Sequence, residues 1–459
     1  MKTDVKRLRL GDLLLNRQGS FIVWVVNAVF GISLTLFFRR IELVNAQVLP
    51  AKSGLIFVSN HPNALIDPAL VFVALPRRIA FLAKSTLFKI PLFGFLIRVI
   101  GALPLYRQQD TGADVSKNQE TFAIVRELLK SGGAIAMFPE GVSHNSPKLL
   151  PLKTGAARIA LGTVSVGKNP ASLDLKIVPV GLFYTSKTTF RSEALLHFGE
   201  PLAVLPVELE ADGQPPKDAV RDLTRVIERS LLEVTVNAES ETKLETARIA
   251  EGVLTSFTKE NAKKENLAER QKFLRDFVAE SLEKDDAELE KRLTEYDKKL
   301  DELGIESEYL ALAEYSKRFV IEQALIQYWY LILLAPLAVV GAFLHFPAYQ
   351  ICKFSAYLQT RKGDYDMAST VKILAGMILM PLTWLITAGV LYFYYSWETA
   401  LVSIPIFFLC GYAALRTHEE VEEMHGWINA IRVFFSRREK FLRLLTESRN
   451  LHEKIISEK

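Results

Sequence analysis

Leu55-Ile56-Phe57-Val58-Ser59-Asn60-His61-Pro62-Asn63-Ala64-Leu65-Ile66-Asp67-Pro68 passes from an apolar run into a loop that carries a histidine, then into a helical start at Asp67-Pro68. A short apolar run bounded by loop residues reads as a buried strand. Three more such runs follow, at Ile79 to Ala83, Ala134 to Phe138 and Ile177 to Tyr184, with helical patterns between them. Strands interleaved with helices predict an α/β fold over residues 41–230: a mixed, partly parallel sheet flanked by helices.

Outward from this region the charge distribution changes. The 459 residues are 49% hydrophobic and 24% charged, which resembles an ordinary soluble protein. Yet mean hydropathy is +0.16, and four stretches, 21–38, 328–346, 373–395 and 399–415, contain no Asp, Glu, Lys or Arg. Such segregation excludes a disordered chain, a collagen-like fibre and a simple cytosolic enzyme. A polytopic transporter is excluded too, because most of the chain is too charged for lipid. Cys352 and Cys410 lie in or beside the apolar stretches and form neither a disulfide framework nor a zinc spacing. The net charge of +4 is small, but the first 19 residues carry Lys2, Lys6, Arg7, Arg9 and Arg17 against Asp4 and Asp12. Arg39 and Arg40 close the far side of the first apolar stretch. No small-residue cleavage site follows, so residues 1–40 are expected to hold an anchoring helix at an anionic membrane surface.

Residues 231–326 are rich in Glu, Lys, Leu and Ala, with Leu267, Leu274, Phe277 and Val278 at helical spacing. Two or three long, solvated helices are expected there, either covering a neighbour or forming a partner-binding coiled coil. Farther on, 373–395 and 399–415 are joined by Ser396-Trp397-Glu398, without a basic residue, and read as a membrane hairpin. Lys353, Arg361, Lys362 and Lys372 precede it and Arg416 follows it. Basic flanks place both ends, and the catalytic region, on the cytoplasmic side. Parity then makes 328–346 re-entrant or interfacial, with Pro336, Gly341 and Pro347 as places to bend. The expected division is 1–40, 41–230, 231–326, a membrane region 327–415 and a cytoplasmic helical tail 416–459.

The chemistry concentrates at the strand ends. A histidine on a strand-to-helix loop, with a carboxylate nearby, can serve as a general base. Asp67 would hold one ring nitrogen of His61 and leave the other to take a proton. No serine or cysteine in the segment completes a nucleophile triad, which favours direct attack by a substrate hydroxyl. The bland alternative is a structural histidine, with Asp67 and Pro68 as the N-cap and first residue of a helix; capping and orienting are compatible for a carboxylate with two oxygens. Three more motifs end apolar runs: Phe138-Pro139-Glu140-Gly141, Gly101-Ala102-Leu103-Pro104-Leu105-Tyr106-Arg107 and Ile177-Val178-Pro179-Val180-Gly181. In the tail, His418, Glu422 and His425 share a helix face but lack a matching second pair for a metal, and a solvated face is the expected reading. No phosphate-cradling Gly-rich loop and no nucleic-acid motif is present.

In order and spacing, these four motifs resemble the glycerolipid acyltransferase family, over roughly residues 50–205. Phe138-Pro139-Glu140-Gly141-Val142-Ser143-His144, Leu150-Pro151-Leu152-Lys153-Thr154-Gly155, Phe190-Arg191-Ser192 and His197-Phe198-Gly199-Glu200-Pro201 look most like the fungal-type glycerol-3-phosphate/dihydroxyacetone-phosphate branch. The resemblance implies an acyltransferase domain that moves a fatty acyl group from acyl-CoA or acyl carrier protein to the sn-1 hydroxyl of glycerol 3-phosphate, with no other cofactor and no metal. His61 would take the hydroxyl proton and Asp67 would orient it. Arg107 would clamp the phosphate with its planar fork, and Lys153 is either a second phosphate contact or an ordinary surface lysine. Glu140 is expected to bond a glycerol hydroxyl or fix Arg107, with the Gly141 amide aimed at the phosphate and Ser143 beside them. Val178 and Pro179 would shape a substrate pocket. One departure is that five residues separate His61 from Asp67 where the family commonly has four, which would turn Asp67 about 100° on a helix. The alternatives are acylation of lysophosphatidate or another lysophospholipid, and a catalytically silent membrane scaffold or lipid sensor with the same fold.

Overall fold

The computed structural model describes residues 4–15, 19–50, 52–75, 77–107, 114–166, 173–256, 266–284, 287–314, 317–361 and 368–457. Lys2, Arg17 and Lys362, which enter the charge argument above, lie outside these. The chain forms two units: one of residues 1–237, 266–275 and 359–373, the other of 238–265, 276–358 and 374–459.

The first unit is built on the apolar runs. Its strands are β1 (Val5–Arg7), β2 (Arg40–Val44), β3 (Gly54–Ser59), β4 (Ala80–Lys84), β5 (Leu103–Leu105), β6 (Ala134–Met137), β7 (Leu175–Tyr184), β8 (Glu193–Phe198) and β9 (Leu202–Ala203). They form one mixed sheet in the order β1-β2-β8-β7-β3-β6-β4-β5, with β9 also on β7. The centre is parallel: β3 pairs with β6 and β7, and β4 with β6 and β5. The β7–β8 and β1–β2 pairs are antiparallel. This matches the expected mixed, partly parallel sheet. The helices are α1 (Leu10–Leu15), α2 (Phe21–Phe37), α3 (Ile66–Ala74), α4 (Pro91–Val99), α5 (Asn118–Lys130), α6 (Gly155–Val164) and α7 (Lys217–Val234).

Side chains alternate between the two faces of the sheet. Ile56, Ile135, Leu175 and Ile177 point to one face and form a core with Val125 and Leu129 of α5, Ala157 and Ala160 of α6 and Ile227 and Leu231 of α7. The opposite face carries Phe57 and Phe198, edge-to-face at 6.4 Å. It also carries Tyr184, stacked on Phe38 at 5.7 Å. Close approach dictates one glycine: a Cβ on Gly181 would lie 1.8 Å from the Val234 carbonyl oxygen, where the end of α7 crosses β7.

The sheet reaches further into the sequence than hydropathy suggested. β1 lies in the basic N-terminal segment and β2 begins at Arg40, so the boundary drawn between residues 40 and 41 falls inside this unit. Helix α2 buries Val23, Val26, Leu34 and Phe37 and exposes Phe21, Ile22, Val25 and Val29. Its apolar composition therefore serves the fold on one side and leaves an apolar surface on the other. Residues 266–275, expected within the charged helical region, also belong here. The Leu267 amide donates to Glu42 Oε2 at 2.7 Å, and Gln271 bonds the Val234 carbonyl at 2.7 Å and His197 Nδ1 at 2.9 Å.

The second unit is helical: α8 (Glu241–Ser256), α9 (Leu267–Lys284) from residue 276, α10 (Ala287–Leu303), a 3₁₀ stretch at Ser307–Glu314, α11 (Lys317–Thr360) to residue 358, α12 (Ala368–Tyr394) from residue 374, α13 (Trp397–Ser436) and α14 (Arg438–Ser457). Leu293, Tyr296, Phe441 and Leu451 are buried, and the Tyr296 hydroxyl bonds Ser307 Oγ at 2.9 Å and Ser448 Oγ at 3.1 Å. Residues expected to form a separate tail thus pack with α10. Tyr328–Thr360, Ala368–Tyr394 and Trp397–Ser436 are long and apolar enough to cross a membrane. Serine 396 caps α13, accepting from the Thr399 amide at 3.3 Å, at the turn of the predicted hairpin. Helix α11 runs on through Pro336 and Pro347. Neighbouring helices can re-satisfy backbone groups freed by proline, and here α13 comes very close: a Cβ on Gly341 would meet the Cys410 carbonyl oxygen at 1.9 Å. Trp384 Nε1 donates to His345 Nε2 at 2.7 Å, joining α12 to α11.

Candidate active site

The site sits at the carboxyl ends of β3 and β6, where open α/β sheets bind their ligands. At the end of β3, the Ser59 hydroxyl donates to the Val180 carbonyl at 2.8 Å. Asn60 then extends the pairing with its side chain: Nδ2 donates to Leu182 O at 3.0 Å and Oδ1 accepts from Leu182 N at 2.7 Å. A carboxamide is both donor and acceptor, so it imitates one more residue of strand. This fixes the point from which His61 leaves the sheet.

His61 and Asp67 are brought together. His61 Nδ1 lies 2.8 Å from Asp67 Oδ2, with side-chain exposures of 17% and 0%. The same Oδ2 accepts the Asn63 amide at 2.7 Å, and Oδ1 accepts the Tyr184 hydroxyl at 2.5 Å. A carboxylate only accepts, so a neutral His61 ring carries its proton on Nδ1 and presents Nε2 as its basic nitrogen. The ring is stacked on Phe138, with centroids 4.1 Å apart and planes 16° from parallel. Asp67 is not the N-cap. The helix begins two residues earlier than expected, at Ile66 with Leu65 as N-cap, because Asn63 O already accepts from the Ile66 and Asp67 amides. The extra residue between His61 and Asp67 is taken up in the loop, where Ala64 adopts φ 30°, outside the usual range for a residue with a Cβ. The Leu65 amide is met by Thr370 Oγ1 at 3.3 Å.

Glu140 is placed differently from the expectation. Its carboxylate accepts the His61 amide through Oε1 at 2.8 Å and the Leu150 amide through Oε2 at 2.8 Å, and Oε2 also bonds His144 Nε2. It is 2% exposed. These three bonds tie the His61 loop to the loop after β6, and among the described residues Glu140 makes no bond to Arg107. The Gly141 amide is likewise spent on the Phe138 carbonyl at 3.0 Å, closing a tight turn with Gly141 at φ 78°. Ser143 lies two residues on in the same loop, and the His144 amide donates back to His61 O at 3.1 Å.

Two cations converge on that turn. Arg107 Nη1 donates to the Gly141 carbonyl at 2.5 Å. The Lys153 side chain runs beside the turn, its Cγ 3.6 Å from where a Gly141 Cβ would stand, while its amide bonds Pro139 O at 2.7 Å. Lys153 is exposed. Pro179 is not brought to this cluster. It pairs beside Val58 within β7 and shares the face of Ile177, with Gly199 against its ring. That face holds the α5–α7 core, so Pro179 is a packing residue. Val178 lies on the other face, beside Phe57.

Sequence reading gave no role to Asn60, His144, Tyr184 or Thr370. Tyr184 stands 117 positions from Asp67, and only the parallel β3–β7 register brings them together. Its phenol is held well above the ordinary value, first by burial and then by the charge of Asp67. It is therefore a hydrogen-bond donor throughout the working range.

Residues 40–182 match the model of the family described as Acyltransferase. This stretch is an acyltransferase-family domain. The chain is 28% identical, over 285 residues, to glycerol-3-phosphate O-acyltransferase 2 of Saccharomyces cerevisiae, covering 59% of this chain and 38% of that one. It is 23% identical to an uncharacterized acyltransferase of Schizosaccharomyces pombe, covering 94% of this chain and 78% of the other. Over 139 residues it is 32% identical to the 1-acyl-sn-glycerol-3-phosphate acyltransferase of Haemophilus influenzae, covering 30% of this chain and 56% of its relative. The chain thus spans well under two thirds of the length of the Saccharomyces and Haemophilus relatives. The Saccharomyces and Haemophilus relatives carry names from the glycerolipid acyltransferase family that the motifs resemble.

Proposed function

We propose that the chain transfers a fatty acyl group from an acyl thioester, acyl-CoA or acyl carrier protein, to the sn-1 hydroxyl of glycerol 3-phosphate or dihydroxyacetone phosphate. It would do so at the cytoplasmic face of a membrane held by α11–α13. The observation that carries this reading is the 2.8 Å contact of His61 Nδ1 with the buried Asp67 carboxylate at a strand end. Among the described residues no serine or cysteine hydrogen-bonds the His61 ring, which supports direct attack by the acceptor. His61 Nε2 takes the hydroxyl proton as the oxygen bonds to the thioester carbonyl carbon. Collapse of the tetrahedral intermediate breaks the carbon–sulfur bond, and the leaving thiolate takes the proton from His61. Arg107 and Lys153, gathered at Gly141, supply positive charge for the acceptor phosphate.

Full-length protein in lipid nanodiscs, given labelled acyl-CoA and glycerol 3-phosphate, tests the proposal. His61→Ala should lower turnover by roughly 10²–10⁴-fold, the usual contribution of a positioned acid–base group, with folding unchanged. Undiminished turnover would sink the mechanism. Lysophosphatidate is the second acceptor reading, favoured by the 32% identity to the Haemophilus lysophosphatidate-type enzyme. The same assay with the three acceptors in parallel separates the readings, and no transfer to any of them would leave the silent scaffold.

A further inference from the structure

Asp67 is held by more than the histidine it orients. Its Oδ2 serves His61 Nδ1 at 2.8 Å and the Asn63 amide at 2.7 Å, and its Oδ1 receives the Tyr184 hydroxyl at 2.5 Å. Without a partner, Oδ1 would be a buried carboxylate oxygen in an apolar setting, which is costly. A free carboxylate could also relieve that cost by rotating, since the χ2 torsion of aspartate is broad. Either change would loosen His61. We propose that Tyr184 is a positioning residue for acyl transfer: its hydroxyl locks Oδ1 so that Oδ2 stays on His61 Nδ1. This rests on the acyl-transfer reading above.

The geometry around the phenol supports the assignment. Tyr184 is the last residue of β7 and points to the sheet face opposite Ile177, toward α3. Its ring is stacked on Phe38 at 5.7 Å, 28° from parallel, so the hydroxyl is aimed by packing on one side and by the strand on the other. The ionisable groups facing this point are Asp67 and His61, with Glu140 and His144 on the far side of the His61 loop. Burial keeps Tyr184 protonated, so it donates in every catalytic state. It acts through Asp67 rather than by touching substrate.

Tyr184→Phe removes one oxygen and keeps the ring. In nanodisc-held full-length protein, kcat should fall roughly tenfold, the size expected for one charge-assisted hydrogen bond, with KM for glycerol 3-phosphate nearly unchanged. The acid limb of kcat/KM should move to higher pH. With Oδ1 released, more of the carboxylate charge falls on Oδ2, beside the ring nitrogen of His61. If Tyr184→Phe does not fold, 3-fluorotyrosine at 184 keeps ring and hydroxyl with a stronger donor, and should move the limb to lower pH. A Tyr184→Phe enzyme with wild-type kcat and pH profile overturns the proposal, as does a fluorotyrosine enzyme whose limb stays in place. A kcat loss with an unmoved limb overturns it too, because it marks a merely structural role. Failure of the acyl-transfer reading is distinct: wild-type protein would then be inactive, or His61→Ala would match it.

Discussion

The main-chain amide of His61 donates to Glu140 Oε1 at 2.8 Å, so the candidate base is held at its backbone by a residue 79 positions away. The other oxygen of Glu140 holds the Leu150 amide and His144 Nε2, and His144 returns a bond from its own amide to His61 O. Two histidine–carboxylate pairs, 61 with 67 and 144 with 140, are thus interlocked through main-chain groups.

Glu140→Gln should therefore damage turnover more than acceptor binding. The amide has one carbonyl oxygen for two amide donors, His61 N–H and Leu150 N–H, and its NH₂ must face one of them. A buried donor left without an acceptor costs about 1–3 kcal/mol. The expected result is a kcat at least tenfold lower, with KM for glycerol 3-phosphate changed less. A rise in KM alone would restore Glu140 to the substrate-contacting role expected from its motif.

That expectation shows what the sequence could and could not carry. Strands β3, β4, β6 and β7 were legible as apolar runs, and His61 with Asp67 as a pair, because both signals are local. Glu140 was legible as part of the site but not in its role. A carboxylate beside two cations reads as a charge partner until the backbone amides that use its oxygens are in view. Tyr184 left no local trace, since only strand register brings it to Asp67. Strands β1 and β2 were hidden by their charge: Lys6, Arg7 and Arg40 are edge and near-edge residues, where charged side chains are common.

Asn60→Asp tests the strand-end anchor. The amide geometry is fixed because Leu182 N can only donate and Leu182 O can only accept. An aspartate keeps the first bond and sets a carboxylate oxygen against the second carbonyl. A loss of about 1–3 kcal/mol is expected from the unpaired buried carbonyl and the repulsion. It should be read as a lower midpoint in denaturant, together with reduced kcat, whereas Asn60→Gln should recover neither. Wild-type stability in Asn60→Asp would show that the amide pairing does not fix the loop.

The cationic corner at Gly141 gives a prediction about binding. Arg107→Lys keeps the charge but loses the planar fork that reaches the Gly141 carbonyl and matches a phosphate. KM for glycerol 3-phosphate should rise roughly tenfold or more. Lys153→Ala, which removes an exposed charge, should raise it by a smaller factor that shrinks further in high salt. Equal effects from the two substitutions would contradict the placement of Arg107 as the principal phosphate contact.

His197 supplies a pH test of stability that is separate from catalysis. It lies in β8 with Nδ1 bonded to Gln271 at 2.9 Å, where residues 266–275 pack within the first unit. Burial holds its pKa below the ordinary 6.5; the Gln271 hydrogen bond opposes this shift and Arg275 adds to it. Between the lowered folded value and 6.5 the unfolded chain binds the proton and the folded chain does not, so stability rises with pH through that window. The contribution is complete above the unfolded value and is lost as pH falls below it. Thermal midpoints compared at neutral and mildly acidic pH should drop more for the wild type than for His197→Asn, which can still bond Gln271 but does not titrate. Equal drops in the two proteins would mean that His197 is not the group that couples the packing of this segment to pH.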